Sequence, residues 1–295
     1  MAYFKPNSEE FLHLLNISIY TRFFSYQEER PFLVLLHGLR ADTNRMLPLI
    51  TILEEKYNVI TLDQPGFGKS IACDSSQDYI EYCAELVAEL LHQLKLPYDR
   101  TALVGTSHGA NVIIKYLSNH PKHQFYKIGL VAPIFSYRFL SMSKPYKFFV
   151  YWIVKATAKG GAVCKFTQLI INSDTWFLRF AKLADKGSLR DKKIALYEME
   201  QWRLMTLQHW GKSLADFLKT DLTTRKQAYN HKNVVFVYPE KDQYLDIHAS
   251  VQGFKKLFPE AEFKTFKSDK HIPRGNFQEN KEFMASIRAI VEMVG

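Results

Sequence analysis

The sequence predicts an α/β protein with a mostly parallel central sheet and one inserted helical unit. Three observations carry this. Short runs of β character alternate with helical patterns. One run, Phe32 to Leu36, is apolar throughout, as a strand covered on both faces must be. The alternation stops near residue 135 and resumes near residue 229. The chain has 295 residues, 47% hydrophobic and 23% charged, enough to bury a sizeable core. This composition excludes a disordered tail, a collagen-like repeat and a small disulfide scaffold.

Along the first half, Ile17 to Phe24 and Phe32 to Leu36 read as strands, Asn44 to Lys56 as a helix and Asn58 to Leu62 as a strand. From Gln77 to Leu94 the apolar positions Tyr79, Tyr82, Cys83, Leu86, Leu90 and Leu94 recur at helical spacing. Thr101 to Val104 is a strand, Ala110 to Asn119 a helix and Lys127 to Val131 a strand. Between about Phe135 and Arg225 the β-type runs give way to aromatic and basic helical stretches, which hold Trp152, Trp176, Trp202 and Trp210, all the tryptophans of the chain. The rhythm then resumes with a strand at Val234 to Tyr238, a helix at His248 to Phe258, a strand at Glu262 to Phe266 and a closing helix at Asn280 to Val294. Residues 1–134 and 229–295 are therefore expected to form one core domain, and residues 135–228 a helical cap.

Three cysteines, Cys73, Cys83 and Cys164, have neither a disulfide framework's even count nor metal-ligand spacing. A reducing, cytoplasmic setting is expected. Pro6, Glu9 and Glu10 stand where a secretory signal needs a basic start and an apolar run. The most apolar segment, Phe148 to Val154, is closed off by Lys147 and Lys155, far short of the roughly 20 residues that cross a bilayer. An integral membrane protein is not expected.

The strongest local signal is Gly105-Thr106-Ser107-His108-Gly109, a G-x-S-x-G between a strand and a helix. A turn this sharp crowds the backbone, so glycines flank the serine and lift its hydroxyl clear of the sheet edge. The helix N-terminus behind Ser107 offers free N–H groups to an oxyanion. A nucleophilic serine needs a base and an orienting acid, which a sheet places on loops after later strands. Asp242 follows the strand ending at Tyr238, and His271 follows the strand ending at Phe266. Asp246 and Asp269 compete with Asp242. Asp242 is preferred because it sits nearer its strand end, whereas Asp246 suits the cap of the next helix. His37, His108, His120, His123, His231 and His248 compete with His271, but only His271 lies beyond both the acid and the last strand.

With these residues in place, the chain resembles the α/β-hydrolase fold superfamily over nearly its whole length outside the insert. Leu35-Leu36-His37-Gly38-Leu39 resembles the family segment whose backbone N–H helps form the oxyanion hole, which implies the N–H of Leu39 paired with that of His108. Asp63-Gln64-Pro65-Gly66-Phe67-Gly68-Lys69-Ser70 resembles a structural turn of the family. Ser107, Asp242 and His271 match the nucleophile, acid and base, and the insert matches the family's cap. One departure is Lys270, where many members carry glycine before the histidine. The resemblance implies a serine hydrolase of the carboxylesterase or lipase kind, cleaving an ester or thioester of an apolar acyl group through an acyl-enzyme, with neither cofactor nor metal. A non-catalytic binding protein of the same fold is the reading from another class.

Gly66-Phe67-Gly68-Lys69-Ser70 invites a phosphate-loop reading, but the first glycine of that pattern falls on Asp63, whose carboxylate would repel a nucleotide. The formal charge of +9, from 39 Lys and Arg against 30 Asp and Glu, lies in the insert. Residues 135–228 hold 17 Lys and Arg against 7 Asp and Glu, a surplus of +10, which leaves the rest at −1. With the charge so confined and no recognisable binding motif, nucleic acid is not an expected partner. Phe148, Trp152 and Trp176 in the same segment are the expected substrate pocket, a greasy lining under a basic exterior. This favours an apolar acyl chain attached to something anionic: an acyl carrier protein, a coenzyme A thioester or an anionic lipid surface. A carrier-dependent methyl esterase or thioesterase is the alternative. The plainer reading has the lysines as solvated helix faces and the aromatics as cap core.

Overall fold

A computed structural model describes residues 7–73, 77–141, 144–184, 196, 199–200, 203–268, 270–272 and 281–294; Trp202 and Asp269 lie outside them. The strands are β1 (Ser8–Leu14), β2 (Ile17–Phe24), β3 (Phe32–Leu36), β4 (Asn58–Leu62), β5 (Thr101–Thr106), β6 (Lys127–Val131), β7 (Val234–Pro239) and β8 (Glu262–Phe266). The helices are α1 (Leu47–Leu53), α2 (Tyr79–Gln93), α3 (His108–Asn119), α4 (Lys144–Ala158), α5 (Ala162–Asn172), α6 (Asp174–Ala184), α7 (Leu207–Phe217), α8 (Ile247–Leu257) and α9 (Lys281–Val294).

The strands form one sheet in the order β1-β2-β4-β3-β5-β6-β7-β8, parallel from β4 onward and antiparallel at β1–β2 and β2–β4. Side chains alternate across a strand, and β3 divides accordingly. Phe32, Val34 and Leu36 enter the core cluster shared with α2, α3 and α8, while Leu33 and Leu35 enter the one under α1 and α9. Helices on both faces are what make an all-apolar strand soluble.

β1 is absent from the sequence reading. It is an edge strand whose residues alternate between half-buried and exposed, with Glu9, Glu10 and His13 among them, so no apolar run marks it. The expected helix from Asn44 opens as a 3-10 turn, Asn44–Met46, before α1 begins next to Pro48. Helix α3 starts at His108, two residues earlier than expected, because Ser107 turns the backbone straight into it.

The segment after β6 holds α4 to α7. Its two connections run side by side, with Tyr137 N–H donating to Thr220 O (2.8 Å) and Leu222 N–H to Phe135 O (3.0 Å). Asn111 on α3 holds the start of this segment, accepting from Ile134 N–H (2.9 Å) and donating to Ile134 O (2.8 Å). Helix α7 is pinned to the sheet side: Thr206 N–H donates to Gly66 O (2.8 Å), His209 Nε2 donates to Cys73 O, and the Asp216 carboxylate accepts from Tyr79 N–H at the start of α2. Among the described residues no helix is long and apolar enough to cross a membrane.

Candidate active site

Ser107 sits between β5 and α3 with φ 49° and ψ −112°, a left-handed backbone conformation that costs a non-glycine residue about 1–3 kcal/mol. The surroundings hold it there. Ser107 N–H donates to Val131 O on the neighbouring strand (2.7 Å), and Ser107 O accepts from Asn111 N–H (3.1 Å). The two glycines answer to close approach. A Cβ on Gly105 would lie 2.6 Å from the backbone of Gly109 and Ala110, and one on Gly109 would lie 2.5 Å from Leu36 O. Helix α3 can therefore start hard against β3 and β5 only if both positions are bare, which leaves the Ser107 hydroxyl at the carboxyl edge of the sheet.

The loops after β7 and β8 bring two side chains to that hydroxyl. His271 Nε2 lies 2.9 Å from Ser107 Oγ, and His271 Nδ1 lies 2.6 Å from Asp242 Oδ2. The other Asp242 oxygen accepts from Tyr244 N–H (2.7 Å) and Leu245 N–H (3.1 Å), and the Asp242 side chain is fully buried. A carboxylate held by two backbone donors cannot turn away from the imidazole, and Tyr244 packs edge-on against the His271 ring, 5.9 Å between centroids. These backbone donors had no sequence signal, since any residue supplies an N–H. Lys270 stands where the family often has glycine, and its N–H donates to Ser268 Oγ (3.1 Å). Asp246 caps α8, accepting from Ala249 N–H (2.9 Å). The two carboxylates are thus separable by experiment. Asp242→Asn is expected to lower kcat by about 10⁴-fold, the scale seen when a triad acid is made neutral, while Asp246→Ala should leave kcat unchanged and cost about 1 kcal/mol in urea unfolding.

The backbone N–H of His108 is the first of α3 and has no intrahelical acceptor. Gly38 lies beside the serine, since a Cβ on it would stand 3.4 Å from Ser107 Cβ, so the loop that continues into Leu39 passes Ser107. His37 shapes the loop. Its Nε2 accepts from Gln64 N–H (2.9 Å), leaving the Nδ1 proton to be donated to Gly38 O (2.8 Å), and Gln64 Nε2 donates to His37 O (2.6 Å). Gln64, the partner of His37 here, has no local pattern that marks it in the sequence. The neighbouring Asp63 carboxylate accepts from Thr43 N–H, Thr43 Oγ1 and Lys69 N–H (2.6 to 2.8 Å), so the Gly66-Phe67-Gly68 turn wraps a carboxylate.

Both histidines near the serine's backbone are buried and neutral. Burial outweighs the nearby Asp63 and Asp42 carboxylates and keeps His37 below the usual histidine range. Burial, with a smaller contribution from His37, pushes His108 down to about 3. As the pH falls below about 6.5 the unfolded chain takes up protons that the native state refuses, so stability is lost toward pH 3, by up to about 1.4 kcal/mol per pH unit for each such histidine. Urea unfolding between pH 7 and pH 4 should show a shallower loss for His108→Gln than for the native chain; equal slopes would remove this contribution.

The expected pocket residues divide. Phe148 lines a cavity of about 410 Å³ with Leu140, Tyr151 and Leu218, and with Lys147 and Lys219 in its wall. Leu140 pairs with Leu245, and Ser141 N–H donates to Tyr244 O (2.7 Å), so the cavity's floor is tied to the loop that carries Asp242. Trp152 and Trp176 are mostly exposed and do not line it. The cause is helix phase. Helix α4 turns Val154 and Thr157 inward, and α6 turns Phe177 inward, which swings the adjacent tryptophans to solvent. The greasy lining is thus corrected: Trp152, Phe166 and Trp176 lie on the outside of the inserted helices. Among the described residues no three His, Cys, Asp or Glu side chains form a group that could hold a metal ion.

Comparison with known proteins agrees with this architecture. A family model described as alpha/beta hydrolase fold matches residues 31–273. A monoacylglycerol lipase (abhd6-B) of Xenopus laevis is 29% identical over 106 residues, which are 35% of this chain and 31% of that protein. The chain's matches cover only 27 to 36% of the length of its curated relatives. Among solved structures, a membrane phospholipase A described as a bacterial virulence factor shares 20% identity and a TM-score of 0.67, covering 97% of this chain and 86% of that one. An esterase from Exiguobacterium antarcticum shares 19% and 0.65, covering 97% and 100%. At these identities the structural likeness speaks to the fold alone.

Proposed function

The chain belongs to the alpha/beta hydrolase fold family, and from that premise we propose that it is a serine hydrolase cleaving a carboxylic ester or thioester of an apolar acyl group. The observation that carries the reading is the continuous relay from Asp242 through His271 to Ser107, at 2.6 and 2.9 Å. His271 Nε2 takes the Ser107 proton as Oγ attacks the acyl carbonyl, and Asp242 orients the ring and stabilises its cationic form. The N–H groups of Leu39 and His108 receive the developing oxyanion, a contribution of about 3–4 kcal/mol per donor in comparable sites. His271 then protonates the leaving alkoxide or thiolate. Water, deprotonated by the same nitrogen, releases the acid and restores Ser107.

The core and cap divide the work in this reading: residues 1–134 and 229–295 hold the reacting groups, and residues 135–228 select what reaches them. The cavity walled by Leu140, Phe148 and Tyr151 is the proposed seat of the acyl chain. The cap's surplus of +10 favours an acyl group carried by, or presented beside, something anionic. A fluorophosphonate probe is expected to label the chain once, on Ser107, as read by peptide mass. No labelling, or labelling elsewhere, returns the chain to the non-catalytic binding class. Esters and thioesters of graded chain length then separate the two leaving groups.

A further inference from the structure

Helices α4, α5 and α6 carry an unusual exterior. Trp152 (54% exposed), Phe166 (65%), Leu169 (69%) and Trp176 (60%) all face solvent, and α5 packs against both of its neighbours. On α5 the exposed apolar residues Val163, Phe166 and Leu169 fall at i, i+3 and i+6, one stripe of the helix, while Ile171 turns inward. Together these side chains expose on the order of 600 Å² of apolar surface, at the upper end of the largest patch on a typical monomer.

The charge around them is of one sign. Residues 144–184 contain seven Lys and Arg and a single acidic residue, Asp174, which pairs with Arg203 (2.7 Å). The cations stand over the aromatic rings. Lys155 Nζ lies 5.9 Å from the Trp152 ring centroid and 5.8 Å from that of Tyr151, and the Arg179 guanidinium lies 5.6 Å from that of Trp176. Exposed tryptophans with a basic group beside them are suited to the boundary between headgroups and acyl chains, where the ring enters and the cation meets phosphate. A second copy of this chain would bring like charge against like charge over the same area.

We propose that the outer face of α4, α5 and α6 docks the protein on an anionic lipid bilayer, lying in the interface without crossing it. The inference concerns binding only, measured without turnover, so its failure leaves the hydrolase reading intact, and the reverse holds too.

The test is co-flotation of the full chain with phosphatidylcholine vesicles, with and without phosphatidylglycerol. Binding to the anionic vesicles is expected to exceed that to the neutral ones by about tenfold or more and to fall away at about 0.5 M salt. Phe166→Ser with Leu169→Ser, and separately Lys155→Glu, Lys159→Glu and Lys165→Glu together, should each lower it by about tenfold, with thermal melting as the check on folding. Brominated acyl chains should quench tryptophan emission in the native chain and quench it less in the W152F/W176F variant, a readout independent of the first two variants. Equal binding to neutral and anionic vesicles, or none to either, overturns the proposal. So does concentration-dependent dimerisation abolished by the Phe166 and Leu169 changes without vesicle binding, or capture of acyl carrier protein by a chain that ignores vesicles.

Discussion

Ser107→Ala is expected to reduce kcat on a short p-nitrophenyl ester by about 10⁶-fold, the loss measured when the nucleophile of a serine triad is removed. The geometry makes so large a figure reasonable. His271 is aimed at Ser107 Oγ, and Asp242 is held against His271 by its own backbone contacts, so the three act as one unit and removing the first leaves the others without a task. Acceleration of about 10³ over water should persist, because the proposed oxyanion donors, the N–H groups of Leu39 and His108, and the binding surface remain. Steady-state kinetics on protein purified free of host esterases checks this. A variant retaining more than a hundredth of native activity would place the nucleophile elsewhere and end the proposed mechanism.

Gly109→Ala is expected to cost about 3 kcal/mol or more in urea unfolding, the upper range for forcing volume into a packed interior. The added methyl would meet Leu36 O at 2.5 Å and His37 O at 2.7 Å, and both are backbone atoms of the strand and loop beside the serine. Relief requires α3 to back away, carrying the Ser107 backbone with it, so activity should fall together with stability. Gly161→Ala is the comparison: nothing lies within 4 Å of its Cβ, and the expected loss is about 1 kcal/mol or less, from its place at the start of α5. If the two variants unfold at the same denaturant concentration, close packing is not what holds glycine at position 109.

Much of the site was legible because its signals are local. A glycine on each side of Ser107 records the distance between a helix and two strands; Asp242 is marked by following a strand with a clear apolar run, and His271 by following the last strand of the chain. Asp246 could be set aside as a cap from its position alone, and it caps α8. What was missed has no local signature. Edge strand β1 is paired on one side only and needs no apolar run, and Gln64 acts through an amide that meets His37 only after β3 and β4 lie side by side.

The inserted helices mark the boundary most sharply. Composition alone located their basic surplus and their aromatics in residues 135–228, but it assigned Trp152 and Trp176 to the interior. A helix carries its side chains around a full circle, and which arc is buried depends on the partner that packs against it. By itself the sequence determined the succession of strands and helices along the core apart from β1, the elbow at Ser107 and the place of the charge, since each depends on neighbours along the chain. Only the tertiary structure decided that Asp242, His271 and Ser107 meet within hydrogen-bonding distance, that Gly38 lies beside the serine, and that Trp152, Phe166 and Trp176 look outward, since each depends on contacts between segments far apart in sequence.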